Sequence, residues 1–234
     1  MLKHFIYIFL GAGLLACSSV TTIHTSAEQV EVTDTFSNLN RIDSIVEPFK
    51  VELEEEMLEV IAYANNDFKK GRPNGSLNNW STDVTLKSQA DSTDQVPTFC
   101  LLNVGGLRNP INKGDVTLGD IYKLMPFDNE VVVVELPWSS FSKIEKYLVE
   151  REGEPISGAH MVDGVLKIDS HKNTAPSSFK VVTSDYLMNG GDNMEFFEDK
   201  LNVKLTGDLL RDVFIQQAKE QGELIWSNEE RITF

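Results

Sequence analysis

The sequence predicts an α+β fold, a layered mixed β-sheet domain with packed helices, and three observations point to it. A helical apolar stripe opens the folded part, a run of four valines marks a strand near the middle, and short apolar runs broken by glycine follow without a strict βαβ rhythm. The 234 residues leave room for one domain of roughly 150–200 residues behind a flexible lead.

In chain order, Lys3 and His4 lead an apolar run from Phe5 to Ala16. That run is well under the ~20 residues needed to cross a bilayer as a helix, so residues 1–16 read as a signal peptide. It ends in Leu14-Leu15-Ala16-Cys17, the pattern of a bacterial lipobox, which makes Cys17 the expected lipidation site. An ordinary signal peptide that happens to contain a cysteine is the alternative. The expected location is the cell envelope, as a lipid-anchored membrane lipoprotein facing the periplasm or the surface. Residues 17–39, rich in Thr and Ser, read as a flexible tether, and residues 40–234 as the domain. With Cys17 lipidated, Cys100 has no partner; within Thr98-Phe99-Cys100-Leu101-Leu102 it is expected to be a buried free thiol.

Ile42, Ile45, Val46, Phe49, Leu53, Met57, Val60 and Ile61 recur near helical spacing and predict one amphipathic helix from Arg41 to about Tyr63, kinked or restarted at Pro48. Asn65–Gly75 is a loop, and Leu77, Trp80 and Val84 suggest a second helix ending before Ala90–Gln95. Thr98–Asn103 reads as a buried strand with Gly105-Gly106 as its turn, and Leu118–Leu124 as a short helix capped by Thr117. Glu130–Leu136 holds the four valines; Ser139 or Ser140 is the expected cap of a helix with Phe141, Ile144 and Leu148 inward. Val162–Ile168 and Phe179–Ser184 are further strands. A last helix through Leu209, Leu210, Val213, Phe214 and Ala218, capped by Thr206, precedes a terminal strand at Glu223–Trp226 or Arg231–Phe234.

Charge narrows the ligand classes. With 36 acidic against 21 basic side chains the net charge is −15, which offers no broad cationic face and argues against DNA or RNA as a partner. An anionic ligand must be small and held by a few local arginines.

Three clusters set glycine, proline or aromatic residues beside groups that recognise polar ligands. Asn103-Val104-Gly105-Gly106-Leu107-Arg108 joins an amide, a sharp turn and a guanidinium able to fork onto phosphate or hydroxyl oxygens. Pro126-Phe127-Asp128-Asn129 fixes a ring and an amide just before the valine strand. Asp185-Tyr186-Leu187-Met188-Asn189-Gly190-Gly191-Asp192 offers a ring for stacking and a carboxylate for vicinal hydroxyls. Each cluster alone also has a purely structural reading: a Gly-Gly turn with an incidental arginine, a core Phe with a turn-forming Asn, and a plain turn.

Together, the order NxGGxR, then PFxN, then an aromatic before NGGD resembles the C-terminal, substrate-recognition domain of the 5′-nucleotidase and UDP-sugar hydrolase family. Lys113–Tyr122, the opening helix and Leu77-Asn78-Asn79 are similar to that family as well, so the resemblance covers about Asn40 to Phe234. It implies that Phe127 and Tyr186 sandwich a nucleobase, Tyr standing where Phe is more usual. It implies further that Asp192 binds the ribose hydroxyls, that Asn103 and Arg108 face the nucleoside and its phosphate, and that Asn129 contacts the base. Arg72 is implied as another phosphate-directed arginine, although Pro73 and Asn74 depart from the family's Arg-Glu. Val104 and Asn193-Met194 also depart from the family pattern; Asn tolerates the left-handed backbone such a turn needs.

Phosphate ester hydrolysis in that family resembles two-metal catalysis, with His, Asp and Asn ligands around ions about 3.5–4 Å apart. Those ligands belong to a separate metallophosphatase domain. In residues 40–234 the histidines are His160 and His171, with no His-x-His pair, and both read as surface residues. The expectation is therefore a nucleotide- or nucleoside-recognition half of a split 5′-nucleotidase, with no catalytic or metal residues of its own. A separately encoded metallophosphatase would carry the two divalent metals. The alternative is a non-catalytic nucleoside- or nucleotide-binding envelope lipoprotein.

Overall fold

The computed structural model describes residues 40–89, 96, 98–170 and 176–234. The signal peptide and tether expected over residues 1–39, with Cys17, as well as Ala90–Gln95 and His171, lie outside the described residues. Helix α1, Asn40–Met57, runs through Pro48 without a break, where a kink or restart is expected from sequence. It also stops short of Tyr63: Leu58 and Glu59 turn the chain, and Val60–Ala64 forms strand β1 with Ile61, Ala62 and Ala64 buried. Val60 and Ile61 continue the helical stripe in sequence, so periodicity alone cannot separate the two elements. Helix α2, Ser76–Ser88, buries Leu77, Trp80 and Val84 as expected. Strands β2 (Thr98–Leu101) and β3 (Gly114–Thr117) precede helix α3, Leu118–Leu124. Thr117 caps α3 in a reciprocal capping box with Asp120.

Strand β4 is Glu130–Pro137, followed by a 3₁₀ turn, Trp138–Ser140, and helix α4, Phe141–Glu150. Neither serine caps α4: the Ser140 hydroxyl donates to Asp199 Oδ2 at 2.6 Å, because the 3₁₀ turn leads straight into the helix. Strand β5 is Ile156–Ser157. The strand expected over Val162–Ile168 is instead half of a hairpin, β6 (Ala159–Val162) and β7 (Val165–Ile168). Asp163 and Gly164, both at positive φ, make its two-residue turn. Strand β8, Ser178–Ser184, leads into the short helix α5, Asp185–Met188. Strand β9, Asn202–Leu209, is one that the sequence does not announce; it contains Thr206, whose hydroxyl donates to the Val131 carbonyl and caps nothing. Helix α6 is Leu210–Gln221. In place of a terminal strand, Glu223 and Ile232 make isolated bridges to Tyr63 and Met161.

The central sheet runs β5-β2-β8-β4-β9, with β2 and β8 parallel and the other neighbours antiparallel. Alternation along these strands sends side chains to two cores. Cys100, Val131 and Val182 face one core with Leu77 and Trp80 of α2, Ile121 of α3, Phe214 of α6, and β1 and β3. Phe99, Val132, Val134 and Val181 face the other with Ile144 and Leu148 of α4 and the β6–β7 hairpin. Burial on both faces explains the near-continuous apolar texture of β4. Cys100 is fully buried and unbridged, and burial pushes its thiol pKa well up. Val46–Phe234 forms one compact unit, and the first turns of α1 belong to the unit Met1–Ile45. Val46, Phe49 and Leu53 of the α1 stripe are exposed, and Met57 packs on the core.

Candidate functional site

Sheet topology dictates where three distant segments meet. The chain leaves the parallel pair β2 and β8 at their C-terminal ends, and β4, antiparallel to β8 with Val131 opposite Ser184, begins at that same end. The loop after β2, the loop before β4 and the turn after β8 therefore converge. Between them lies a cleft of about 280 Å³ lined by Asn103, Gly105, Gly106, Arg108, Phe127, Asn129, Tyr186 and Asp192. That volume is near the lower end of the ~300–1,000 Å³ range of small-molecule pockets.

Six of the seven substrate-binding residues expected from sequence line this cleft. Arg72 does not. Its Nη2 pairs with Glu154 and its Nε donates to the Gly153 carbonyl at 2.9 Å, so its charge is spent on a buried carboxylate. His160 is half-exposed and lies 2.7 Å from Asp169, as fits a surface residue.

Each loop is held by identifiable bonds. In the first, Gly106 N donates to Asn103 O at 3.2 Å, and a Cβ at Gly106 would fall 2.6 Å from Asn103 Oδ1, so only glycine leaves that amide in place. Arg108 N donates to Leu124 O at 2.8 Å, which aims its guanidinium across the cleft, 5.9 Å above the Phe127 ring. In the second, Leu210 N donates to Asn129 O at 2.8 Å and Arg211 Nη2 meets Asp128 Oδ1 at 2.6 Å. Arg211 also stacks on Tyr122, 4.5 Å from the ring centroid.

The third loop is pinned to the second. Asp185 Oδ1 accepts from Glu130 N at 3.1 Å and from Tyr186 N at 2.8 Å, so one carboxylate ties the start of β4, beside Asn129, to the start of α5. Gly190, Asp192 and Asn193 all have positive φ, which turns the chain back toward Tyr186. Gly191 makes that approach feasible, because a Cβ there would lie 2.5 Å from the ring's Cε1.

Asp192 is the hub of the cleft's polar side. Its Oδ2 accepts from Asn103 Nδ2 at 2.6 Å and its Oδ1 from the Tyr186 hydroxyl at 3.1 Å. Each oxygen keeps a further lone pair, so the carboxylate is oriented and still able to accept two ligand hydroxyls. Phe127 is 41% and Tyr186 47% exposed, so both rings are accessible from the cleft. The arrangement offers two π faces, one oriented anion, two amides and one guanidinium.

Sequence reasoning overlooks Asp185, which no pattern separates from a helix-start acid, and Glu154, which in Arg151-Glu152-Gly153-Glu154 reads as one more surface charge. Among the described residues no group of three or more His, Cys, Asp or Glu is placed to hold a metal ion. Also among them, no helix is long and apolar enough to cross a membrane.

Known proteins resemble this chain in sequence and in fold. A family model described as 5′-nucleotidase, C-terminal domain, matches residues 58–143. The human 5′-nucleotidase is 27% identical over 164 residues, 57% of this chain and 29% of that protein. Among solved structures, a 5′-nucleotidase precursor from Thermus thermophilus superposes with a TM-score of 0.67 at 23% identity, covering 84% of this chain and 43% of that one. The NAD nucleotidase of Haemophilus influenzae gives 0.61 at 14% identity, covering 83% and 41%. The chain therefore spans less than half the length of each. On these matches, residues 58–143 are similar to the C-terminal domain of the 5′-nucleotidase family, and the fold is one shared with solved 5′-nucleotidase structures.

Proposed function

We propose that this chain is the nucleotide-recognition half of a split 5′-nucleotidase, acting with a separately encoded metallophosphatase. The observation that carries the reading is one cleft uniting Phe127, Tyr186, Asn103, Asn129, Arg108 and Asp192. In it the base is taken between the Phe127 and Tyr186 rings, stacking that accepts any base. Asp192, oriented by Asn103 and Tyr186, accepts hydrogen bonds from the ribose hydroxyls. Asn129 contacts the base edge, and Arg108 neutralises the 5′-phosphate with a guanidinium fork. The two divalent metals and the attacking water belong to the partner; this chain binds and orients the ester. A lipid on Cys17 keeps the domain at the envelope membrane.

The full chain should bind adenosine and AMP saturably, yet release no phosphate from AMP with magnesium, manganese or zinc until the metallophosphatase is added. Turnover by the chain alone overturns the division of labour. Binding without any stimulated hydrolysis points to a nucleoside-binding lipoprotein with no catalytic partner.

A further inference from the structure

Outside the cleft, the carboxylate of Glu154, in the loop between α4 and β5, is wholly buried, 0% exposed, and unaccounted for by ligand binding. A buried carboxylate is costly unless every oxygen is satisfied. Its Oε1 pairs with Arg72 Nη2 and lies 3.6 Å from Arg151 Nε, while Oε2 accepts from the Val104 main-chain N–H at 2.8 Å. Val104 sits between Asn103 and Gly105, both of which line the cleft. We propose that Glu154 is a positioning residue, clamping the glycine loop so that Asn103 holds Asp192 in its ligand-accepting orientation.

The clamp reaches the opposite loop too. Tyr147 of α4 donates its hydroxyl to the Asp192 carbonyl at 3.1 Å. Burial first, then the negative charge of Glu154, push the Tyr147 pKa up to about 12, so the hydroxyl remains a donor throughout the physiological range. Arg72, Glu154, Arg151 and Tyr147 thus form a polar floor under the sugar side of the cleft, and the base-side loop around Phe127 is held by other groups, Leu210 and Arg211. A Gly-Gly loop has wide backbone freedom of its own, and an anchor at the preceding amide removes it.

This inference rests on the nucleoside reading and is tested by ligand halves. In the full chain, Glu154→Ala should weaken adenosine by about tenfold, the size of one charge-assisted hydrogen bond. Adenine, measured by competition, should change by less than about twofold, and the Val104 amide should exchange its hydrogen faster. Glu154→Gln keeps the side chain's shape but turns an NH2 either to the Val104 N–H or to the Arg72 guanidinium, so it should weaken adenosine by at least about threefold with adenine unchanged and speed Val104 exchange, which keeps the proposal testable if the alanine variant does not fold. Equal losses for adenosine and adenine, or unchanged adenosine affinity and Val104 exchange, overturn the positioning role while leaving the cleft's function intact. Wild-type protein that binds no adenosine sinks the nucleoside reading itself and the inference with it.

Discussion

Truncating one ring of the cleft tests the stacking role with little confounding from stability. Phe127 is 41% exposed and belongs to neither buried core, so Phe127→Ala opens no cavity. What it removes from the free protein is the Arg108 contact at 5.9 Å, about 0.5–1 kcal/mol at an exposed site. The melting temperature should fall by only a few degrees. In the complex, a base loses one of its two stacking partners, about 1–3 kcal/mol, which is roughly 5–150-fold in Kd. Calorimetric titration with adenosine and with uridine reads this directly. The loss should be similar for both bases, since a π face is common to them. A Kd within about twofold of wild type, in a variant that melts normally, refutes the stacking argument.

Tyr186→Phe keeps the ring and deletes the donor at 3.1 Å from Asp192, so adenosine should weaken by about fivefold while 2′,3′-dideoxyadenosine is unaffected; comparing the two Kd values checks this. Gly191→Ala should displace the Tyr186 ring, since its Cβ would lie 2.5 Å from Cε1, and should cost adenosine affinity more than it costs thermal stability. Lys143 and the Ser140 hydroxyl hold Asp199 below the usual carboxylate range, against a smaller opposing effect of burial. A depressed folded-state pKa stabilises above the unfolded value and is lost as pH falls through the folded one, so Asp199→Asn should flatten the acid limb of a denaturation series below about pH 4 and leave its slope near neutrality unchanged.

How much of this was legible in the sequence differs by element, for physical reasons. The valines of β4 and the Thr117–Asp120 capping box declare themselves because burial on both faces and cap chemistry each leave a local signature. β1 hides behind α1 because Val60 and Ile61 satisfy both a helical stripe and a strand's preference for β-branched residues. The exposed α1 stripe shows that amphipathic spacing specifies a face without specifying what covers it. β9 is an edge strand with polar, glycine-containing texture and most of its residues exposed, so no alternation marks it.

In the site, the residues that line the cleft lie in three clusters, each of which alone also reads as a plain turn or core feature; it is their order along the chain, resembling that of the 5′-nucleotidase family, that singles them out. Arg72 was misplaced because a guanidinium near a loop looks the same whether it meets a ligand or a buried acid. Its partner Glu154 is 82 residues away, a pairing that only the fold creates.

The central claim is that a nucleobase enters between Phe127 and Tyr186 with its sugar on Asp192. A crystal structure of the full chain soaked with adenosine tests it most directly. The account predicts density for the base between those two rings and the 2′- and 3′-hydroxyls within hydrogen-bonding distance of Asp192. Adenosine bound elsewhere, or lying in the cleft with its base on neither ring, contradicts it.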